Sequence, residues 1–148
     1  MSRPPKDRPD VRLFTEIGII SQLVRTTLER ALPEGLSYAQ FGVLTHFARR
    51  GGEESPVQLA KAFQVTKGAM TNTLQRLEAQ GFVNVVGDAD DGRRKRVSIT
   101  PAGLAAHVMG LKAARPAMDA LRARFSDSEF EAVLPFLSAL RQWLDENR

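Results

Sequence analysis

The groups with chemistry to offer in this chain are polar and cationic rather than nucleophilic. Two rows of residues spaced by four, Lys67-Thr71-Gln75 and Gly68-Asn72-Arg76, would share one outer face if that stretch is helical. Their side chains suit the edges of bases: Lys67 for guanine O6/N7, Asn72 for adenine N6/N7, and the Thr71 methyl for thymine, with Gln75 completing the face. Thr66, just before them, would leave free backbone N–H groups for a phosphate, and Arg76 would clamp another. Gly68 costs a helix about 1 kcal/mol relative to alanine, but removes bulk where the backbone must approach a duplex. A second cationic group, Arg93, Arg94, Lys95 and Arg96, follows a turn-like stretch over residues 87–92 that holds two glycines and three aspartates. A basic run alone is most often a solvated face. Its place directly after the first group is what marks it.

Other chemistries are poorly supplied. With no cysteine among 148 residues, disulfides, thiolate metal sites and thiol-based peroxide sensing are excluded. The histidines, His46 and His107, lie far apart and without a neighbouring ligand cluster, so no metal or other cofactor is expected. A polar role in or near an effector pocket suits them better. The acidic cluster Asp88, Asp90 and Asp91 reads as turn chemistry, and Ser37 and Ser55 as helix caps, so no catalytic set is found and the chain is not expected to be an enzyme. The net charge of +4 permits an acidic partner without requiring one. No run of 18 apolar residues occurs and the start MSRPPKDRPD lacks an apolar core, so neither a membrane span nor a signal peptide is expected, and the cytoplasm is the expected location.

The elements that must position these groups are mostly helical. Residues 1–10, rich in proline and charge, are expected to form a disordered arm. Leu13, Ile17, Ile20, Val24 and Leu28 set a helical stripe, and Phe14, Ile19 and Leu23 lie off it, so this helix should bury more than one face. Ser37 and Gln40 form a capping box ahead of a helix with Phe41, Leu44, Phe47 and Ala48 inward. Residues 49–56 read as a loop. Ser55 and Pro56 then open a short helix burying Leu59, Ala60 and Phe63. Thr66 caps the next helix, in which Met70, Leu74 and Leu77 face inward and Gly81 supplies the stop. Val83 and Val85 alternate with Asn84, and Val97 and Ile99 with Arg96 and Ser98, the period of a half-buried hairpin. Thr100 and Pro101 start a long helix striped by Leu104, Val108, Leu111 and Met118, with a kink or break expected near residues 112–116 because Pro116 removes a donor. Ser126 and Glu129 box a last helix carrying Phe130, Val133, Leu137, Leu140 and Leu144, with Pro135 inside it. Phe14, Phe41, Phe47 and Trp143 could line a pocket for an aromatic acid, although aromatics at helical spacing are usually core.

Over residues 57–103 this order resembles the winged helix–turn–helix of the MarR family of bacterial transcriptional regulators. Asp88, Asp91, Arg93, Val97, Ile99, Thr100 and Gly103 match the family's hairpin running into a Thr-x-x-Gly helix start. Leu59-Ala60, Val65-Thr66, Met70-Thr71, Leu74, Leu77 and Gly81-Phe82-Val83 match its helix–turn–helix. The resemblance implies a mainly α fold with a small β-hairpin: a DNA-binding region over residues 37–100 and a helical dimerisation region from residues 11–32 and 101–148. It implies a homodimer on a pseudo-palindromic operator in double-stranded DNA, and a repressor relieved by a small ligand, with an aromatic acid as one candidate. It places a wing arginine in the minor groove, where A·T tracts concentrate negative potential. That role falls on Arg93, with Asp91 orienting it. Gly92 and Arg94 depart from the family pattern, so either Arg93 or Arg94 would insert, leaving Lys95 and Arg96 for phosphate. A winged helix used only for protein–protein contacts is the competing reading.

Overall fold

In the computed structural model, which describes residues 8–87 and 94–148, the helices are α1 (Pro9–Ala31), α2 (Tyr38–Arg50), α3 (Pro56–Phe63), α4 (Lys67–Ala79), α5 (Pro101–Arg124) and α6 (Asp127–Glu146), with strands β1 (Val83–Gly87) and β2 (Lys95–Ile99) between α4 and α5. The described fold is therefore mainly α with one small hairpin, as the patterning predicts. The chain divides into two compact units, Met1–Ala113 and Ala114–Arg148.

Local capping chemistry sets most boundaries in the first unit. Ser37 and Gln40 exchange side-chain and backbone hydrogen bonds, as do Ser55 and Gln58, and Thr66 Oγ1 accepts from Ala69 N. Each cap of this kind is worth about 1 kcal/mol. The turn between α3 and α4 passes through Gln64 at φ 54°, a left-handed residue that is not glycine. Its amide donates to Lys61 O at 2.7 Å, which holds the turn. Gly81, at φ 75°, ends α4 in the conformation that glycine adopts without a side-chain clash.

Leu44, Phe47, Leu59, Leu77, Val83 and Val97 form the centre of the core, with Met70 and Leu74 of α4 packed among them. Truncating one of the buried leucines should cost about 2–5 kcal/mol. Ala48, expected inward on α2, is exposed, and Val43 takes its place in the core. The hairpin is antiparallel, with Val83 opposite Ile99 and Val85 opposite Val97. Residues 49–56 are more than a loop. Glu54 N donates to Val97 O at 3.0 Å and Val97 N to Glu54 O at 2.8 Å, which adds a third, one-residue rung beside β2.

The helix boundaries refine the expectations further. Pro9 and Asp10 belong to α1 rather than to a disordered arm, because proline fits the first helical position and Asp10 Oδ1 accepts from Val11 N; residues 1–7 lie outside the described residues. Of the kink or break expected near residues 112–116, the break does not occur, since α5 runs through Pro116. A proline removes one hydrogen bond, and the remaining ladder carries the helix on. Helix α5 turns its small residues inward: Gly103, Ala106 and Gly110 are buried, whereas the stripe Leu104, Val108, Leu111 and Met118 is exposed in the single chain. A Cβ on Gly110 would lie 2.5 Å from the Phe41 ring, so the close approach of α2 selects glycine there.

In the second unit, Ser126 and Glu129 form the expected capping box, and the Ser126 N–H and hydroxyl hold the Glu129 carboxyl below its ordinary range. Arg122 pairs with Asp127 through two hydrogen bonds of 3.2 and 3.0 Å across the turn. Phe130, Val133, Leu134, Phe136, Trp143 and Leu144 are all exposed in the single chain.

Candidate nucleic-acid interface

Helix α4 presents its polar residues because Met70, Leu74 and Leu77 anchor the opposite side in the core. Lys67, Gly68, Asn72, Gln75 and Arg76 are exposed, and Thr71 is half-buried. Lys67, Thr71 and Gln75 line a groove of about 1060 Å³ together with Arg94, Lys95 and Arg96. The two groups singled out by residue type thus face one space. Asn72, Gly68 and Thr66 lie outside that groove, and Arg76 lines a separate cleft with Gly35, Gln40 and Gln80. Asp91 and Arg93, the wing residues implied by the family pattern, lie outside the described residues.

The groove is less uniformly basic than the cation run suggests. Glu53, Glu54 and Glu78 also line it, and Glu53 Oε2 lies 3.7 Å from Arg96 Nη1. Both side chains are more than half exposed, so this pair is worth at most about 1 kcal/mol and can yield to a phosphate. Glu53 and Glu54 belong to the stretch read as a loop, where spacing carries no signal of the groove, whereas Glu78 extends the Lys67-Thr71-Gln75 face of α4 by one turn.

Gly68 has nothing within 4 Å of the position a Cβ would take, and its φ is not positive. The fold therefore has no use for glycine at this exposed site. Thr100 does more than cap α5. Its Oγ1 accepts from Gly103 N at 3.0 Å and donates to Gly81 O at 2.6 Å, tying the end of the hairpin to the end of α4. The histidines separate in role: His46 is buried against Glu54 at 2.8 Å, and His107 stacks on Phe41. Phe41 and Phe47 are core residues, whereas Phe14 and Trp143 are exposed. Among the described residues, no three histidine, aspartate or glutamate side chains are gathered as metal ligands, and no helix is long and apolar enough to cross a membrane.

Residues 34–94 match the MarR family. Over 101 residues the chain is 34% identical to the multiple antibiotic resistance protein MarR of Salmonella typhimurium, an alignment covering 63% of this chain and 69% of that protein. This chain belongs to the MarR family. It is also 28% identical over 136 residues to the HTH-type transcriptional repressor YetL of Bacillus subtilis, covering 90% of this chain and 81% of YetL. A crystal structure of a mutant MarR from E. coli in complex with operator DNA superposes with a TM-score of 0.68 at 26% identity, covering 88% of this chain and 94% of that one. As a MarR-family protein the chain is a DNA-binding transcriptional regulator and not an enzyme. The family match takes in α2, α3, α4 and β1 and stops at Arg94, just before β2.

Proposed function

We propose that the chain is a cytoplasmic, homodimeric repressor that binds a pseudo-palindromic operator and is relieved by a small ligand, with an aromatic acid as the candidate to test. The observation that carries this reading is the groove shared by the polar face of α4 and the wing cations. In this reading Lys67, Gly68, Thr71, Asn72 and Gln75 enter the major groove. Thr66, Arg76, Lys95 and Arg96 bind phosphate, and Arg93 or Arg94 enters the minor groove, with Asp91 holding the wing. Residues 37–100 form the DNA-binding region, and residues 11–32 and 101–148 the dimerisation region.

The exposed apolar side chains support the dimer. No residue of α1 or α6 is buried within one chain, although Phe14, Ile20 and Leu23 on α1 and Leu134, Phe136 and Trp143 on α6 are large and apolar. Covering such patches is what a second copy would do. Sedimentation at micromolar concentration should show a species near twice 16.3 kDa; a monomer would remove the dimer. Two-fold symmetry would place half-sites about 10 bp apart. The ligand reading rests on Thr45 Oγ1 and His107 Nε2, buried polar atoms with no hydrogen-bond partner among the described residues. Such atoms cost about 1–3 kcal/mol each unless something satisfies them.

Footprinting on the chain's own upstream DNA tests the function, and two substitutions sharpen it. Gly68→Ala should raise fold stability by up to about 1 kcal/mol while weakening operator binding; equal binding would take Gly68 off the DNA. Asn72→Ala should relax discrimination at one base position at a cost of roughly 1–3 kcal/mol. A uniform loss over all operators would move Asn72 to the backbone instead.

A further inference from the structure

Glu54 stands where three elements meet, and its contacts reach beyond the DNA-facing groove. Its backbone pairs in both directions with Val97, a fully buried residue at the centre of β2. Its carboxylate is 2.8 Å from His46 Nε2 on α2, and its other oxygen is 3.5 Å from Arg50 Nε. The His46 side chain is 8% exposed and that of Glu54 17%. The His46 ring is also packed between Phe47 and Phe63, at centroid distances of 5.8 and 5.4 Å. The carboxylate is thus gripped by a ring that is itself immobilised in the core.

A two-stranded hairpin is marginal on its own and needs a further element to hold it. Here β1 flanks one edge of β2 and Glu54 the other. Arg94 lies three residues beyond Val97, about 10 Å along an extended chain. A tilt of roughly 10° at Val97 would therefore displace Arg94 by about 2 Å, enough to break a hydrogen bond to a base or phosphate.

We propose that Glu54, gripped by His46, is a positioning residue that fixes the wing relative to α4 and so sets the spacing at which the two read DNA. This rests on the operator-binding reading above. The grip depends on reach more than on charge. Glu54→Gln keeps an oxygen at the same distance to accept from a His46 N–H, whereas Glu54→Asp keeps the charge but falls one methylene short.

The test compares these two variants with the unaltered full-length protein on a footprinted operator. Hydroxyl radicals report the minor groove and backbone, dimethyl sulfate reports guanine N7 in the major groove, and thermal melting reports the fold. For Glu54→Asp, minor-groove protection should be lost and affinity should fall about tenfold, the low end for a charge-assisted hydrogen bond, while guanine protection persists. Glu54→Gln should keep both protections. A protein that protects no operator at all would defeat the operator reading itself. Normal protection in the unaltered protein with an unchanged footprint in Glu54→Asp would overturn the positioning role. So would a loss in Glu54→Asp spread equally over both grooves, or the same loss in Glu54→Gln.

Discussion

Raising salt from 50 to 200 mM is expected to weaken operator binding by about 10³- to 10⁵-fold if a dimer makes roughly 6–10 phosphate contacts. Those contacts would come from Thr66, Arg76, Lys95 and Arg96, with whichever of Arg93 and Arg94 stays out of the minor groove. Arg76, Lys95 and Arg96 are exposed, so they can meet phosphate and displace the cations condensed on the DNA. The Glu53 carboxylate beside Arg96 changes this little, because an exposed pair at 3.7 Å is itself screened by salt. Fluorescence anisotropy over a salt series reads the slope directly. Arg76→Ala should reduce it by about one per protomer without altering base preference. A flat response would take these cations off the phosphate backbone.

Gly103→Ala is expected to destabilise the protein by about 1–3 kcal/mol or more, because the added methyl overpacks a site that cannot open. A Cβ there would lie 2.1 Å from Phe82 O and 2.8 Å from Ile99 Cγ1. The carbonyl cannot retreat cheaply, since it accepts from Thr100 N at 3.0 Å and Thr100 in turn caps α5. The change should therefore loosen the joint among α4, the hairpin and α5 and lower both melting temperature and operator affinity. Gly68→Ala is the internal comparison. It adds the same methyl near another helix start, but at an exposed position and into open space, so the fold should gain where Gly103→Ala loses. An unchanged melting temperature for Gly103→Ala would mean that α5 can shift away from Phe82.

The capping residues were readable in advance because their chemistry is local. Ser37, Ser55, Thr66, Thr100 and Ser126 each reach a backbone N–H three residues on, and each does so in the structure. The polar face of α4 was readable for a related reason. Once Met70, Leu74 and Leu77 point inward, helical geometry leaves Lys67, Gln75 and their neighbours outside.

The inward side of α5 was not readable, because hydrophobic period picks out large side chains. Gly103, Ala106 and Gly110 are inward instead, where closeness of backbone and rings matters more than apolar bulk. Leu104, Val108 and Leu111 make a good stripe, but nothing local says whether it meets this chain's core or another surface.

By itself, then, the sequence determined the helix starts and stops, the hairpin's alternation, the cationic and amide side chains available for DNA, and the exclusion of thiol chemistry. Each of these follows from bonds and periodicities spanning a few residues. Only the tertiary structure decided that Lys67, Thr71 and Gln75 share a groove with Arg94, Lys95 and Arg96, that acids line the same space, and that Glu54 pairs with Val97 while His46 holds its side chain. Those juxtapositions join segments far apart in the chain, and they are set by how the core closes around Leu44, Leu59 and Leu77.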